Sequence, residues 1–383
     1  MRIAQVAPLY ESVPPKLYGG TERVVSWLTE ELVAMGNDVT LFASGDSLTA
    51  AHLVPVCSQA LRLSSHCVDQ LAHHVNLIQT VVQAHEEKRF DLIHFHIDYL
   101  HFPVSRSQRL LQITTLHGRL DIPDLAPLYH QFSEMPVVSI SDSQRAPLPW
   151  INWQGTVHHG LPEDTFSTHQ KHDGYLAFLG RVSPEKGLDR AIEIAKQARV
   201  PLKIAAKIDR ADREYFETVI EPLLNTDLIE FVGEIGDHEK NEFLGNALAM
   251  VFPIAWAEPF GIVMIEAMAC GVPVLAYPGG SVPEIIEDGV NGFLVDNIKD
   301  AVNAIKRIGA VDRNECRRRF LKRFTSRRMA RDYMAIYERV ARRPRAVLRP
   351  VPVSTAVKRA AGTMALEDGD VNWLRLESPS NTT

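Results

Sequence analysis

The chain has 383 residues, 45% hydrophobic and 23% charged; that composition is globular and excludes a disordered, fibrous or low-complexity protein, and the length suits two or three domains of about 150 residues each. A net charge of −6 argues against nucleic acid as the main partner. The longest apolar run, Leu248 to Trp256, is interrupted by Pro253 and falls short of the roughly 18 residues of a membrane span.

In chain order, Ile3 to Ala7 reads as a strand. Thr21 to Met35 reads as a helix with Val24, Leu28 and Leu32 on one face and Gly36 at its end. Val39 to Ala43 is a second strand, Cys67 to Glu87 a long helix and Leu92 to His96 a third strand. Further strands are expected at Gln112 to Leu116, Val137 to Ile140 and Thr156 to His158. Strands alternating with helices predict a parallel sheet covered on both faces. Gly160 to Asp173 is polar and aperiodic and reads as an interdomain linker. The alternation then restarts, with strands at Tyr175 to Leu179, Leu202 to Ala205, Ile229 to Val232, Met250 to Pro253 and Val274 to Ala276. Two doubly wound halves facing across a cleft follow, with ligands expected beyond the carboxyl ends of the strands. From Arg342 onward periodicity is lost, which predicts a mobile tail over 342–383.

Residues 1–10 lack the apolar core and cleavage site of a signal peptide. Cys57, Cys67, Cys270 and Cys316 lie far apart with no C-x-x-C pair, so reduced thiols in a cytoplasmic protein are expected rather than a disulfide frame or zinc site.

Three segments carry chemistry. The loop from Pro14 to Thr21 contains Gly19 and Gly20 and opens a helix; backbone can approach a ligand there, and the free N–H groups of a helix start suit an anion, although a plain tight turn reads equally well. It is not G-x-G-x-x-G. Gly180 to Gly187 places Arg181 and Lys186 on either side of a Ser183-Pro184 turn, with Pro184 near the first position of a helix. An Arg fork and a Lys point charge converging above a strand end suit a diphosphate. In Glu258-Pro259-Phe260-Gly261-Ile262-Val263-Met264-Ile265-Glu266, Pro259 keeps Glu258 in a loop while Glu266 lies on the following helix. Ionised carboxylates only accept, so the pair suits two sets of sugar hydroxyls, and the N–H groups near Gly261, Ile262 and Val263 face a phosphate.

Glu258 and Glu266 resemble the E-x7-E motif of retaining glycosyltransferases of the GT-B fold, family 4. Arg181 and Lys186 resemble that family's diphosphate loop, Gly19-Gly20 its first glycine loop, and Thr115-Leu116-His117-Gly118 its His-Gly strand end, all in the family's order. The resemblance spans roughly residues 1–341. It implies an α/β GT-B fold: a Rossmann-like acceptor-side domain over 1–165, a Rossmann-like nucleotide-sugar domain over 170–323, and a helix at about 324–341 crossing back to the first domain. The implied roles are Glu258 on the donor sugar, Glu266 on the ribose, Arg181 and Lys186 on the leaving diphosphate, His117 beside the reacting sugar and Gly20 on the phosphate. Val232 and Ile235, in the Phe231 to Ile235 segment, resemble the strand end that receives the base. Where many relatives have Asn-Gly before the linker, this chain reads His158-His159-Gly160.

The implied activity is metal-free, retaining transfer of a hexose, glucose on family frequency, from a UDP-sugar to an unidentified acceptor. A GDP-mannose-dependent mannosyltransferase, a UDP-sugar 2-epimerase and a non-catalytic nucleotide-sugar binder are the alternatives. His94, His96 and His101 read as a cleft-lining cluster before a metal set, because no carboxylate or Cys completes them. Asp368-Gly369-Asp370 matches a metal-transferase D-x-D by chance. Residues 313–345 hold 13 Arg or Lys against three acids; the stretch reads as a solvated helix face or as a peripheral contact with anionic membrane.

Overall fold

The computed structural model describes residues 1–16 and 19–342. Leu17 and Tyr18 of the first glycine loop, the predicted tail beyond Arg342 and its Asp368-Gly369-Asp370 run lie outside the described residues. Arg342 itself ends the last described helix.

The first sheet comprises β1 (Arg2–Val6), β2 (Asp38–Ser44), β3 (His52–Cys57), β4 (Leu92–Phe95), β5 (Gln112–Thr115), β6 (Val137–Ser139) and β7 (Trp153–Thr156) in the order β3-β2-β1-β4-β5-β6-β7. The second comprises β8 (Leu176–Arg181), β9 (Leu202–Lys207), β10 (Ile229–Gly233), β11 (Ala249–Phe252), β12 (Val274–Ala276) and β13 (Gly292–Leu294) in the order β10-β9-β8-β11-β12-β13. Every pairing is parallel. Winding reverses between β1 and β4 and between β8 and β11, and those switch points are where open parallel sheets bind ligands. Both sheets belong to one compact unit, Met1–Arg342. The architecture is α/β GT-B, as expected.

Three differences from the sequence reading have local causes. Strand β3 was not anticipated because it contains Pro55, is only half-buried and runs at a sheet edge, where a missing N–H is tolerated. The three-residue β13 is too short to show a period. The seventh strand covers Trp153–Thr156 rather than Thr156 to His158, so the two histidines lie in the loop beyond it.

The linker is less free than its polarity suggests: Leu161 and Phe166 are buried. Leu161 N–H donates to Phe324 O at 3.0 Å and Ser326 N–H to Leu161 O at 2.9 Å, tying the crossover to the returning chain. The helix Ser326–Arg342 then lays Met329, Tyr333, Ile336 and Val340 into the first core with Ile3, Val24, Leu28 and Ile113. Apolar residues at helical spacing explain why it packs there. Many cations of the basic stretch are employed inside the molecule. Arg313 donates to three carbonyls, of His169, Ala247 and Gly245. Arg317 reaches Ala269 O, Arg319 pairs with Glu287, and Arg328 donates to His158 O and His159 O. Lys322, Arg327 and Arg331 are exposed.

Candidate active site

A cavity of about 930 Å³ opens at the carboxyl ends of both sheets. The first domain contributes Gly19, Gly20, Glu22 and Arg23 from the start of the helix Gly20–Ala34, His96 to Leu100 beyond β4, and His117 and Gly118 beyond β5. The second contributes Gly180 and Arg181 at the end of β8 and Lys186 beyond it, Ile235 and Lys240 beyond β10, and Trp256 and Glu258 to Val263 with Glu266 beyond β11. Arg181, Lys186, Glu258, His117, Gly19, Gly20, Ile235, Gly261, Ile262, Val263 and Glu266, read from sequence, therefore meet in one place. Val232 does not: it points outward from the edge strand β10, is 44% exposed and is absent from the cavity wall. Strand alternation places its side chain on the solvent face, and the chain turns into the cavity only after Gly233, at φ 92°.

The Ser183-Pro184 turn forms one 3₁₀ turn, Pro184–Lys186, and stops at Gly187 with φ 72° before the helix Leu188–Ala198 begins. Pro184 thus starts the short turn and not the helix. A Cβ at Gly187 would lie 2.2 Å from Pro253 O, so glycine is needed for the β8 loop to pass under the β11 loop that carries Glu258.

Lys186 Nζ lies 2.5 Å from Glu258 Oε2, and Trp256 Nε1–H donates to the same oxygen at 3.0 Å. The ammonium also sits 4.9 Å from the Trp256 ring centroid, a cation–π distance. Arg181 pairs with Glu185 and lies 3.6 Å from Asp212 and 3.9 Å from Asp209. Glu266, 2% exposed, is held by Lys240 Nζ at 2.8 Å. Lys240 also pairs with Asp237 at 3.3 Å, and Asp237 pairs with Arg23 of the first domain. A chain of opposite charges thus crosses the cleft from Arg23 to the E-x7-E helix. At its mouth a Cβ on Gly20 would lie 3.6 Å from Ile262 Cδ1.

On the first-domain wall, His117 Nε2 lies 2.9 Å from His96 Nδ1, and its ring stacks on His159 with centroids 5.4 Å apart and planes at 19°. Burial pushes the His117 imidazole down to about 3 and that of His96 well below its ordinary range, so both are neutral at physiological pH. Burial pushes Glu22 up to about 7 against its own backbone N–H and the charge of Arg23. It also pushes Asp98 up to about 6 against a hydrogen bond from the His117 backbone.

Of the histidine cluster, His96 lines the cavity, while His94 and His101 are core groups bonded to Tyr337 and Thr115, and to Ser105 and Thr114. Among the described residues no group of three or more His, Cys, Asp or Glu could hold a metal ion. Sequence reasoning did not find Arg23, Asp237, Lys240 or Trp256. Asp237 and Lys240 sit on a polar helix that looks solvated on its own; only the fold brings it to Glu266.

Comparison with known proteins places the chain. Residues 18–148 match the model of Glycosyltransferase Family 4, and residues 163–324 that of Glycosyl transferases group 1. The chain belongs to this glycosyltransferase family. An uncharacterized glycosyltransferase of Methanocaldococcus jannaschii, MJ1607, is 24% identical over 77% of this chain and 85% of its own length. The alpha-maltose-1-phosphate synthase of Mycobacterium tuberculosis is 28% identical over 43% of this chain, and the match spans 47% of the synthase. Among solved structures, AviGT4, a glycosyltransferase involved in avilamycin A biosynthesis, superposes with a TM-score of 0.69 at 20% identity, covering 89% of this chain and 98% of that one. Anabaena Alr3699/HepE in complex with UDP and glucose gives 0.68 at 20% identity, covering 88% and 100%. These structural likenesses establish the fold of this family 4 transferase.

Proposed function

We propose that this glycosyltransferase moves a hexose, with retention, from a nucleoside-diphosphate sugar on the second-domain wall to an acceptor hydroxyl held against the first domain. The observation that carries this reading is the convergence of two cations, Arg181 and Lys186, and two buried carboxylates, Glu258 and Glu266, on one cavity at the switch points of both sheets. The cations are paired with carboxylates, and a diphosphate offers each a competing partner of higher charge. As pyrophosphate-side charge grows during bond cleavage, Arg181 and Lys186 stabilise it, which is the electrostatic part of the catalysis. Release of Glu258 from Lys186 frees its oxygens to accept from sugar hydroxyls, and Glu266, freed from Lys240, accepts from the ribose. The departing phosphate oxygen takes the acceptor's proton on the same face of the sugar, so orientation and charge stabilisation suffice without a separate protein base or a metal.

UDP-glucose is the proposed donor, supported by a fold neighbour solved with UDP and glucose, with a GDP-hexose as the other candidate. The exposed Lys322, Arg327 and Arg331 would draw the enzyme to anionic lipid if the acceptor is lipid-borne. The test is release of free nucleoside diphosphate from UDP- and GDP-hexoses, with and without EDTA. Slow, EDTA-insensitive hydrolysis of one donor is expected. Failure to bind any donor would overturn the reading.

A further inference from the structure

Behind His117 runs a buried chain of side chains that ends on the crossing helix. His96 Nδ1 lies 2.9 Å from His117 Nε2, and His96 Nε2 lies 2.9 Å from Gln5 Oε1. Gln5 Nε2–H donates to Tyr337 Oη at 3.1 Å. Tyr337 Oη lies 2.7 Å from His94 Nδ1, and His94 Nε2 lies 2.7 Å from Thr115 Oγ1, itself 2.9 Å from Tyr333 Oη. Gln5, His94, Thr115, Tyr333 and Tyr337 have no exposed surface, and His96 is 3% exposed.

With the Gln5 carbonyl oxygen facing His96 and its NH₂ facing Tyr337, the direction of each proton follows from what each atom can do. The Gln5 carbonyl oxygen only accepts, so His96 donates to it from Nε2. His96 is neutral, so its Nδ1 is bare and must accept from His117 Nε2–H. At the other end, Tyr337 accepts from Gln5 and so gives its own proton to His94 Nδ1. His94 then donates from Nε2 to Thr115, and Thr115 donates to Tyr333. Each contact along the chain then pairs one donor with one acceptor. His117 Nδ1 is left over: it has no partner among the described contacts, and the residue lines the cavity. Turning the Gln5 amide over reverses every proton in the chain, so one amide orientation sets the tautomer of a histidine two bonds away.

We propose that Gln5, His96 and Tyr337 are positioning residues that lock His117 as its Nε2–H tautomer, leaving Nδ1 as an acceptor for a substrate hydroxyl. A bare nitrogen takes an O–H and repels phosphate oxygen, which assigns His117 to a sugar or acceptor hydroxyl and not to the diphosphate. That hydroxyl assignment rests on the transferase reading above; the tautomer does not.

The test is a long-range ¹⁵N–¹H correlation spectrum of the full chain labelled in histidine, with His117 assigned through His117→Gln. A neutral His117 protonated on Nε2 between pH 6 and 8 is expected; a proton on Nδ1, or a cationic ring, overturns the proposal. In Gln5→Leu the lock is gone, so His117 should show a mixture of tautomers, with kcat about tenfold lower and the donor KM within about twofold. An unchanged tautomer and unchanged kcat in that variant would also overturn it. If Gln5→Leu does not fold, the wild-type spectrum still decides. An Nε2 proton in a protein that binds and turns over no donor fails the transferase reading alone. An Nδ1 proton in an active enzyme fails this proposal alone.

Discussion

Lys186 and Glu258 hold each other on the wall of the cavity, 2.5 Å apart, with side chains only 18% and 8% exposed. Each therefore neutralises the other until a ligand supplies better partners to both. Removing the lysine has two consequences, because it withdraws charge from the leaving group and strands a buried carboxylate with Trp256 as its remaining partner. Lys186→Ala should lower kcat/KM for transfer about 10²–10³-fold, the range for losing one electrostatic stabiliser, with Arg181→Ala in the same direction. Steady-state kinetics on the identified donor checks this; near-wild-type turnover in both variants would refute the assigned roles.

Glu258→Gln should separate sugar recognition from nucleotide recognition. The amide keeps the size and one acceptor but loses the ammonium of Lys186 and half of its accepting capacity. Calorimetry should show affinity for the free nucleoside diphosphate within about threefold of wild type, and discrimination between hexose donors reduced about tenfold, the effect of one hydrogen bond of about 1.4 kcal/mol. Equal losses for the nucleotide and the sugar nucleotide would contradict the role.

The Glu22 carboxyl, raised to about 7 from 4.5 by burial, gives stability a pH dependence. The folded chain binds this proton more tightly than the unfolded one. Stability from this group is therefore present at low pH and lost as pH rises between 4.5 and about 7. Glu22→Gln should gain about 1–3 kcal/mol relative to wild type at pH 8 and almost nothing at pH 4.5. Thermal unfolding at the two pH values checks the sign, and a variant advantage that is larger at pH 4.5 would reverse it.

Glu284 of the second domain accepts from the backbone N–H groups of Asp142 and Ser143, at 2.9 and 2.7 Å, and lies 2.9 Å from His158 Nε2. These bonds join the two domains through residues separate from the charge chain at Arg23. Glu284→Ala leaves those donors unpartnered and should cost about 1–3 kcal/mol, with faster limited proteolysis in the 160–173 crossover. Unchanged Tm and cleavage would show that the stitch carries no strain between the domains.

Gly160 passes against the returning chain so closely that a Cβ would lie 2.2 Å from Thr325 O. Backbone must move to admit it, so Gly160→Ala should destabilise by about 3 kcal/mol, the upper range for overpacking. Gly309→Ala, where nothing lies within 4 Å of the added carbon, is the control and should stay within about 0.5 kcal/mol. Chemical denaturation of both variants checks the contrast.

The order of strands and helices, and the strand ends at which Arg181, Glu258 and His117 appear, were legible because each is a local pattern: an apolar run, a proline, a glycine. What was not legible is lateral. Lys240 reaches Glu266 across 26 residues of sequence and Arg23 reaches Asp237 across 214, and nothing in either neighbourhood marks the partner. Val232 stands apart from the cavity for a different reason. The strand that carries it was read correctly, but its edge position decides which face is wet, and edge position belongs to the sheet order. His94 and His96, read as part of one cluster, do lie together, with ring centroids 4.0 Å apart, yet only the arrival of Tyr337 from the distant crossing helix turns that pair into a hydrogen-bonded series.

The crossing helix also orders events during synthesis. Met329, Ala330, Tyr333, Ile336, Tyr337 and Val340 complete a core whose other buried members, from Ile3 to Val157, are made first. On the ribosome the first sheet must wait, with that face uncovered, while the entire second domain is translated. The second domain's strands end at Leu294 and can close earlier. The first of the two domains is thus finished after the second, and its exposed face is the surface a chaperone would meet on the nascent chain.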